Sequence, residues 1–262
     1  MTESGRFIWY ELGTTDTGAA KAFYTKVVGW GTEEMSGGPM PYTLFTVEPG
    51  RGVGGMMTLP DELKTRGVPP HWLGYVMVDD ADASTAKARS LGATIHHEPM
   101  DIPNVGRFSV IQDPQGGVVA LFKPTPPPGG APAPLEPGRV GTAGWHELYA
   151  NDGAKAFDFY SALLGWKKFD TMDMGAMGQY HIFGPPGAAM PMGGMMTKPA
   201  QMPVPFWTYY FRVGDIEAAS GRVKAAGGTV MMGPMEVPGG DWIIQGTDPQ
   251  GAFFALVGQK AG

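Results

Sequence analysis

The sequence predicts an α+β protein of four βαβββ modules in two tandem domains, with curved mixed sheets around clefts. Two observations carry this prediction. The first is a pattern written twice in the same order. Trp9-Tyr10-Glu11-Leu12 returns as Trp145-His146-Glu147-Leu148, and Val27-Val28-Gly29-Trp30 returns as Leu163-Leu164-Gly165-Trp166. Gly54-Gly55-Met56-Met57 returns as Gly193-Gly194-Met195-Met196, and Asp113-Pro114-Gln115-Gly116 as Asp248-Pro249-Gln250-Gly251. The offset moves from 136 to 139 to 135, so length drifts in loops while the order of elements is kept. The second observation is a half-repeat in spacing. From a capping aspartate to a helix-ending glycine there are 13 residues (Asp16 to Gly29), 12 (Asp80 to Gly92), 13 (Asp152 to Gly165) and 12 (Asp215 to Gly227).

Each module reads as strand, helix and three strands. In the first, residues 7–14 form a strand and Asp16 or Thr17 caps a helix running to about Val28. Ala19, Ala20, Phe23, Tyr24 and Val27 recur at helical spacing and give that helix one apolar face. Gly29 stops it, being free to adopt positive φ. Strands follow near residues 31–35, 42–47 and 53–58. The order then restarts with a strand at 72–78, a helix capped by Asp80 or Asp82, and strands at 94–98, 107–112 and 118–122. The last two are joined by a reverse turn at Asp113-Pro114-Gln115-Gly116. Domain one is expected at residues 1–123, a Pro/Gly-rich linker at 124–138 and domain two at 139–262. The linker's prolines lack amide protons and favour a partly extended spacer.

The chain has 262 residues, which suits two domains of roughly 130 each. Its 19 basic and 25 acidic residues form no basic stripe, which argues against a nucleic-acid partner. Cysteine is absent, removing disulfides, thiolate nucleophiles and Cys-held metals. No apolar run approaches the roughly 20 residues that span a bilayer, so a cytoplasmic protein without a membrane partner is expected. Gly37-Gly38 and Gly52-Val53-Gly54-Gly55 do not open a helix after a parallel strand, so they are not dinucleotide loops. The five histidines, His71, His96, His97, His146 and His181, repeat at no shared place in the two copies. The 18 methionines are expected chiefly as fillers of irregular core gaps.

Strand alternation selects the side chains that turn away from the helices. Trp9 and Glu11 share one face of the first strand, opposite Tyr10 and Leu12. In its copy Trp145, Glu147 and Tyr149 share a face, opposite His146 and Leu148. The second module of domain one offers Leu73, Tyr75 and Met77; that of domain two offers Thr208, Tyr210 and Arg212. Tyr42 and Tyr180 occupy equivalent later strands. A glutamate placed twice beside a tryptophan is suited to accept a ligand hydroxyl or amine, or to act as a general base. Arg212 is placed to pair with Glu147 or to fix an anionic group.

These segments together resemble the vicinal oxygen chelate (VOC) superfamily of glyoxalase I, extradiol dioxygenases and bleomycin-resistance proteins. The resemblance rests on residues 16–24 with Val27-Val28-Gly29-Trp30, on residues 151–160 with Leu163-Leu164-Gly165-Trp166, and on the two Asp-Pro-Gln-Gly turns. It covers nearly the whole chain and implies two tandem glyoxalase-like domains. It also implies where a metal-dependent member would hold its ion: near Trp9, Leu73, Met56-Met57 and Ala120, and near Trp145, Thr208, Met195-Met196 and Ala255. None of these suits a hard divalent ion, so no metal and no cofactor is expected. The leading expectation is metal-independent binding of a small organic molecule in aromatic-lined clefts. Trp9, Tyr42, Tyr75, Trp145, Tyr149, Tyr180, Thr208, Tyr210 and Arg212 would bind it. Two alternatives stand beside it: a lyase, isomerase or hydroxylase using Glu11 or Glu147 as base, and a divalent-metal lyase or dioxygenase with an atypical ligand set. Because internal duplication lets one chain mimic a dimer, a monomer or homodimer is expected.

Overall fold

The computed structural model describes residues 4–35, 40–126, 129–130 and 133–260. Gly37-Gly38, and Pro127, Pro128, Ala131 and Pro132 of the expected linker, lie outside the described residues. The first module comprises β1 (Phe7–Thr14), α1 (Thr17–Val27), β2 (Gly31–Met35), β3 (Tyr42–Glu48) and β4 (Arg51–Thr58), followed by a short helix α2 (Asp61–Thr65). The second comprises β5 (His71–Met77), α3 (Ala81–Ser90), β6 (Thr94–Ile102), β7 (Gly106–Gln112) and β8 (Val118–Pro124). The third contains β9 (Ala143–Ala150), α4 (Gly153–Leu164), β10 (Lys167–Asp173), β11 (Gln179–Gly184) and β12 (Gly193–Thr197). The fourth contains β13 (Phe206–Asp215), α5 (Ile216–Ala225), β14 (Thr229–Glu236), β15 (Trp242–Thr247) and β16 (Phe253–Gln259).

The four long helices start where the aspartates place them. Asp16, Asp80, Asp152 and Asp215 each accept a hydrogen bond from a backbone N–H in the first turn, those of Ala19, Ala83, Lys155 and Glu217. This satisfies donors that a helix start otherwise leaves bare. Gly165 closes α4 at φ 73°, a left-handed cap that costs a residue with a Cβ far more.

Within each module the first strand pairs in parallel with the last, and the remaining pairings are antiparallel. Glu11 lies opposite Gly55 and Glu147 opposite Gly194. Tyr75 lies opposite Ala120 and Tyr210 opposite Ala255. The strand orders are β2-β3-β4-β1-β5-β8-β7-β6 and β10-β11-β12-β9-β13-β16-β15-β14. Both sheets are therefore open: the ladder ends at β2 and β6 in one, and at β10 and β14 in the other. This corrects the expectation of curved sheets around clefts. Periodicity fixes which face of a strand is apolar, whereas closure needs the end strands to meet, and they do not.

Two compact units are built from these elements. One consists of Met1–Ile8, Gly74–Pro134 and His146–Trp207; the other of Trp9–Leu73, Leu135–Trp145 and Thr208–Gly262. In the second-named unit the core gathers Tyr24, Trp30, Phe45, Trp72 and Phe211. The Trp30 ring lies 4.7 Å from Phe45 and 4.9 Å from Phe211, and its Nε1 donates to the Gly141 carbonyl at 2.8 Å. Arg222 of α5 donates to the Val27 carbonyl at the end of α1 (3.0 Å), where a cation meets the negative helix terminus. The first-named unit repeats this arrangement with other residues. Trp166 stacks on Phe183 at 4.4 Å and donates to the Gly5 carbonyl at 2.7 Å. Lys87 of α3 donates to the Leu163 carbonyl at the end of α4. Aromatic contacts of this kind add stability beyond the area that they bury.

Candidate functional site

In β1, Tyr10 and Leu12 are buried, Tyr10 against Tyr209 and Phe211. Trp9 and Glu11 are half-buried on the opposite face. Trp9 Nε1 donates to the Tyr42 hydroxyl at 2.9 Å, and that hydroxyl in turn bonds the Glu11 carboxylate. Burial and the Glu11 charge push the Tyr42 hydroxyl well above the ordinary phenol range, so it stays protonated and acts as donor. The Tyr42 ring lies over Gly55, the residue beside Glu11 in the parallel pair, and a Cβ there would overlap it. Trp9 similarly covers Gly52. The glycines of this β-strand thus make room for two aromatic rings.

The second copy repeats the phenol–carboxylate pair. Tyr180 donates to Glu147 at 2.9 Å, with its ring over Gly194. Glu147 is buried, and Tyr149, also buried, packs against Phe206. On the other face of β9, His146 stacks on Phe7 at 4.3 Å and its Nδ1 lies 2.8 Å from the Met192 carbonyl. Burial pushes the His146 imidazole down to about 4.

The remaining expected residues fall in the second and fourth modules. Tyr75 is buried between Phe108 and Phe122, with centroids 6.0 and 5.9 Å away. Trp145 packs on Tyr210, Ile243, Ala255 and Val257. Tyr210 accepts a hydrogen bond from Gln245 Nε2. Thr208 is buried on the same face of β13 as Tyr210 and Arg212. The carboxylate beside Arg212 is Asp241, at 3.6 Å.

Sequence reasoning missed two buried tyrosines set beside aspartates on the helix side. Tyr24 donates to Asp248 at 3.1 Å and accepts from Trp72 Nε1 at 3.0 Å. Tyr160 lies beside Asp113, whose Oδ2 has no hydrogen-bond partner among the described residues, and accepts from Trp207 Nε1 at 3.2 Å. Burial raises both aspartates above the usual carboxylate range. The Asp-Pro-Gln-Gly segments do make the expected turns, with Gly116 N–H bonded to Asp113 O at 3.0 Å and Gly251 N–H to Asp248 O at 3.0 Å. Their aspartates were a visible signal only through their repetition.

The model of the Glyoxalase/Bleomycin resistance protein/Dioxygenase superfamily matches residues 6–121 and 142–256. The chain belongs to this superfamily. It is 33% identical over 251 residues to "Putative glyoxylase CFP32" of Mycobacterium tuberculosis, covering 95% of this chain and 93% of that protein. It is 30% identical over 271 residues to "Anthracycline biosynthesis protein DnrV" of Streptomyces peucetius, covering 97% and 93%. Among solved structures, the Mn(II)-bound glyoxalase from Novosphingobium aromaticivorans is similar with a TM-score of 0.66 at 16% identity, covering 100% of this chain and 84% of that one. The 2,3-dioxygenase LapB from Pseudomonas sp. KL28 gives 0.67 at 14%, covering 99% and 94%. These last two likenesses show the fold alone.

A metal-dependent superfamily member needs a cluster of hard donors. Among the described residues no group of three His, Cys, Asp or Glu side chains is placed to hold an ion. At Glu11 and at Glu147 the site lacks, among the described residues, the further hard donors that such an ion needs. What it offers is carboxylates held by phenol donors on aromatic faces, suited to binding a small organic molecule. No described helix is long and apolar enough to cross a membrane.

Proposed function

We propose that this protein is a glyoxalase-like enzyme that moves a proton on a small organic substrate. Glu147 is the general base, and Glu11 is its counterpart in the first copy. The observation that carries this reading is the buried Glu147 carboxylate, bonded by Tyr180 at 2.9 Å on the face turned away from α4. A carboxylate so placed can take a proton from an acidic C–H or O–H, and the phenol fixes its orientation. The Glu11–Tyr42 pair supports the same role, with Trp9 extending the chain of donors. The names of the relatives, a glyoxylase and an anthracycline biosynthesis protein, point to aldehyde-derived compounds and polycyclic aromatic ketones as substrates to try. The proposed setting is the cytoplasm, as a monomer or homodimer with no nucleic-acid or membrane partner.

The test is incubation in D2O with such a panel, reading deuterium uptake and product by mass spectrometry, with chelator and with added Mn(II). Turnover should survive the chelator and fall about 10²–10⁴-fold in Glu147→Gln. Undiminished turnover in both Glu147→Gln and Glu11→Gln, or turnover that disappears on chelation, would overturn the reading. Retained ligand binding with no turnover in the native protein would identify a carrier instead.

A further inference from the structure

We propose that the fourth module carries a polar subsite for a carbonyl or hydroxyl oxygen on a ring-shaped ligand, formed by Thr208, Tyr210 and Gln245. This rests on reading the faces turned away from the helices as ligand-facing, and it names the class of molecule recognised there.

Comparison of two copies of one strand triplet leads to this assignment. In the second module Tyr75, Ala120 and Val110 lie side by side on β5, β8 and β7. In the fourth, Tyr210, Ala255 and Gln245 lie side by side on β13, β16 and β15. The flanking Phe108 and Phe122 of the second module correspond to Ile243 and Val257, opposite one another on β15 and β16. At a constant offset of 135, Leu73 becomes Thr208, and Val110 becomes Gln245. One copy fills the face with aromatic rings. The other trades two rings for smaller side chains and places an amide and a hydroxyl over the apolar floor.

The Thr208 hydroxyl is the independent observation. Its residue is 2% exposed, and its Oγ1 has no hydrogen-bond partner among the described residues. A buried polar atom left unpaired is costly, and valine would fill the same space without that cost. The Gln245–Tyr210 bond holds a second polar group on the same face. Trp145, Met232 and Val237 pack against the apolar residues around this pair, and among them Trp145 offers a ring on which a ring-shaped ligand can stack. An oxygen-bearing ring compound satisfies the hydroxyl and covers the floor together.

The experiment measures binding of 1-naphthol, 1,4-naphthoquinone and naphthalene by equilibrium dialysis to the full-length protein. Native protein should hold the two oxygen-bearing probes about five- to ten-fold more tightly than naphthalene. Thr208→Val and Gln245→Val should each bring that ratio toward one without changing naphthalene binding, and Thr208→Ser should keep it. Gln245→Val copies the residue that the second module already tolerates, so it guards against a folding failure. An unchanged ratio in both valine variants, no preference in the native protein, or no binding of any probe would overturn the subsite. Glu147→Gln separates the two proposals. If it abolishes turnover while the valine variants leave the ratio untouched, the subsite fails and the proton-transfer reading stands. If Glu147→Gln and Glu11→Gln both leave turnover intact while the valine variants erase the ratio, the reverse holds.

Discussion

The Tyr24 hydroxyl donates to the Asp248 carboxylate at 3.1 Å while accepting from Trp72 Nε1 at 3.0 Å, joining α1 to the turn before β16. All three residues are buried, Tyr24 completely. Removing the hydroxyl strands a buried indole N–H and one bond of a buried carboxylate. Tyr24→Phe should therefore cost about 2–4 kcal/mol, read as a lower denaturation midpoint at unchanged slope. Tyr160→Phe, which strands the buried Trp207 indole N–H, should cost about 1–3 kcal/mol. A loss below about 0.5 kcal/mol in both would remove these pairs from the account of stability.

His146 gives a pH dependence of known sign. Its folded-state value is pushed down to about 4 by burial, below the ordinary 6.5 that it regains on unfolding. Between pH 6.5 and 4 the unfolded chain takes up the proton and the folded one does not. The stability from His146 is thus complete above 6.5, falls as pH drops through that window, and levels off near 4. The shift corresponds to about 3 kcal/mol. Denaturation curves of native protein and His146→Phe across pH 7 to 4 should converge by about this amount as pH falls.

Gly194 and Gly55 are spacers beneath Tyr180 and Tyr42. Gly194→Ala should push the phenol off Glu147, cost about 1–3 kcal/mol, and lower turnover without unfolding the protein. An alanine variant with native stability and native turnover would show that the ring has room to spare.

Loss of the Tyr42 hydroxyl should be visible at Trp9. Tyr42 bonds both Trp9 and Glu11. Tyr42→Phe should unquench or shift the Trp9 fluorescence, since its indole N–H loses an acceptor. A spectrum unaltered by Tyr42→Phe would argue against the Trp9–Tyr42 bond in solution.

Much of the candidate site was legible from strand parity. Trp9 and Glu11, and Glu147 with Tyr149, stand opposite Leu12 and Leu148 because side chains on a strand alternate whatever the sheet does. The phenol–glutamate bonds were not legible. They depend on β3 and β11 reaching their places beside β4 and β12, with Gly55 and Gly194 allowing the rings to lie flat. The nearness of Asp241 to Arg212, at 3.6 Å, was not legible either, because it depends on where β13 and the turn before β15 come together.

By itself the sequence determined the order of the strands and long helices, the four aspartate caps, the glycine stops and the faces of the strands, because each follows from neighbours a few residues apart. The tertiary structure alone decided that the sheets stay open, that Asp248 binds the distant Tyr24, that Trp207 donates to Tyr160, and that Trp30 and Trp166 donate to the Gly141 and Gly5 carbonyls. Those partners lie from 47 to 224 residues apart along the chain, and no local preference encodes which of many buried polar groups a folded chain brings within hydrogen-bonding reach.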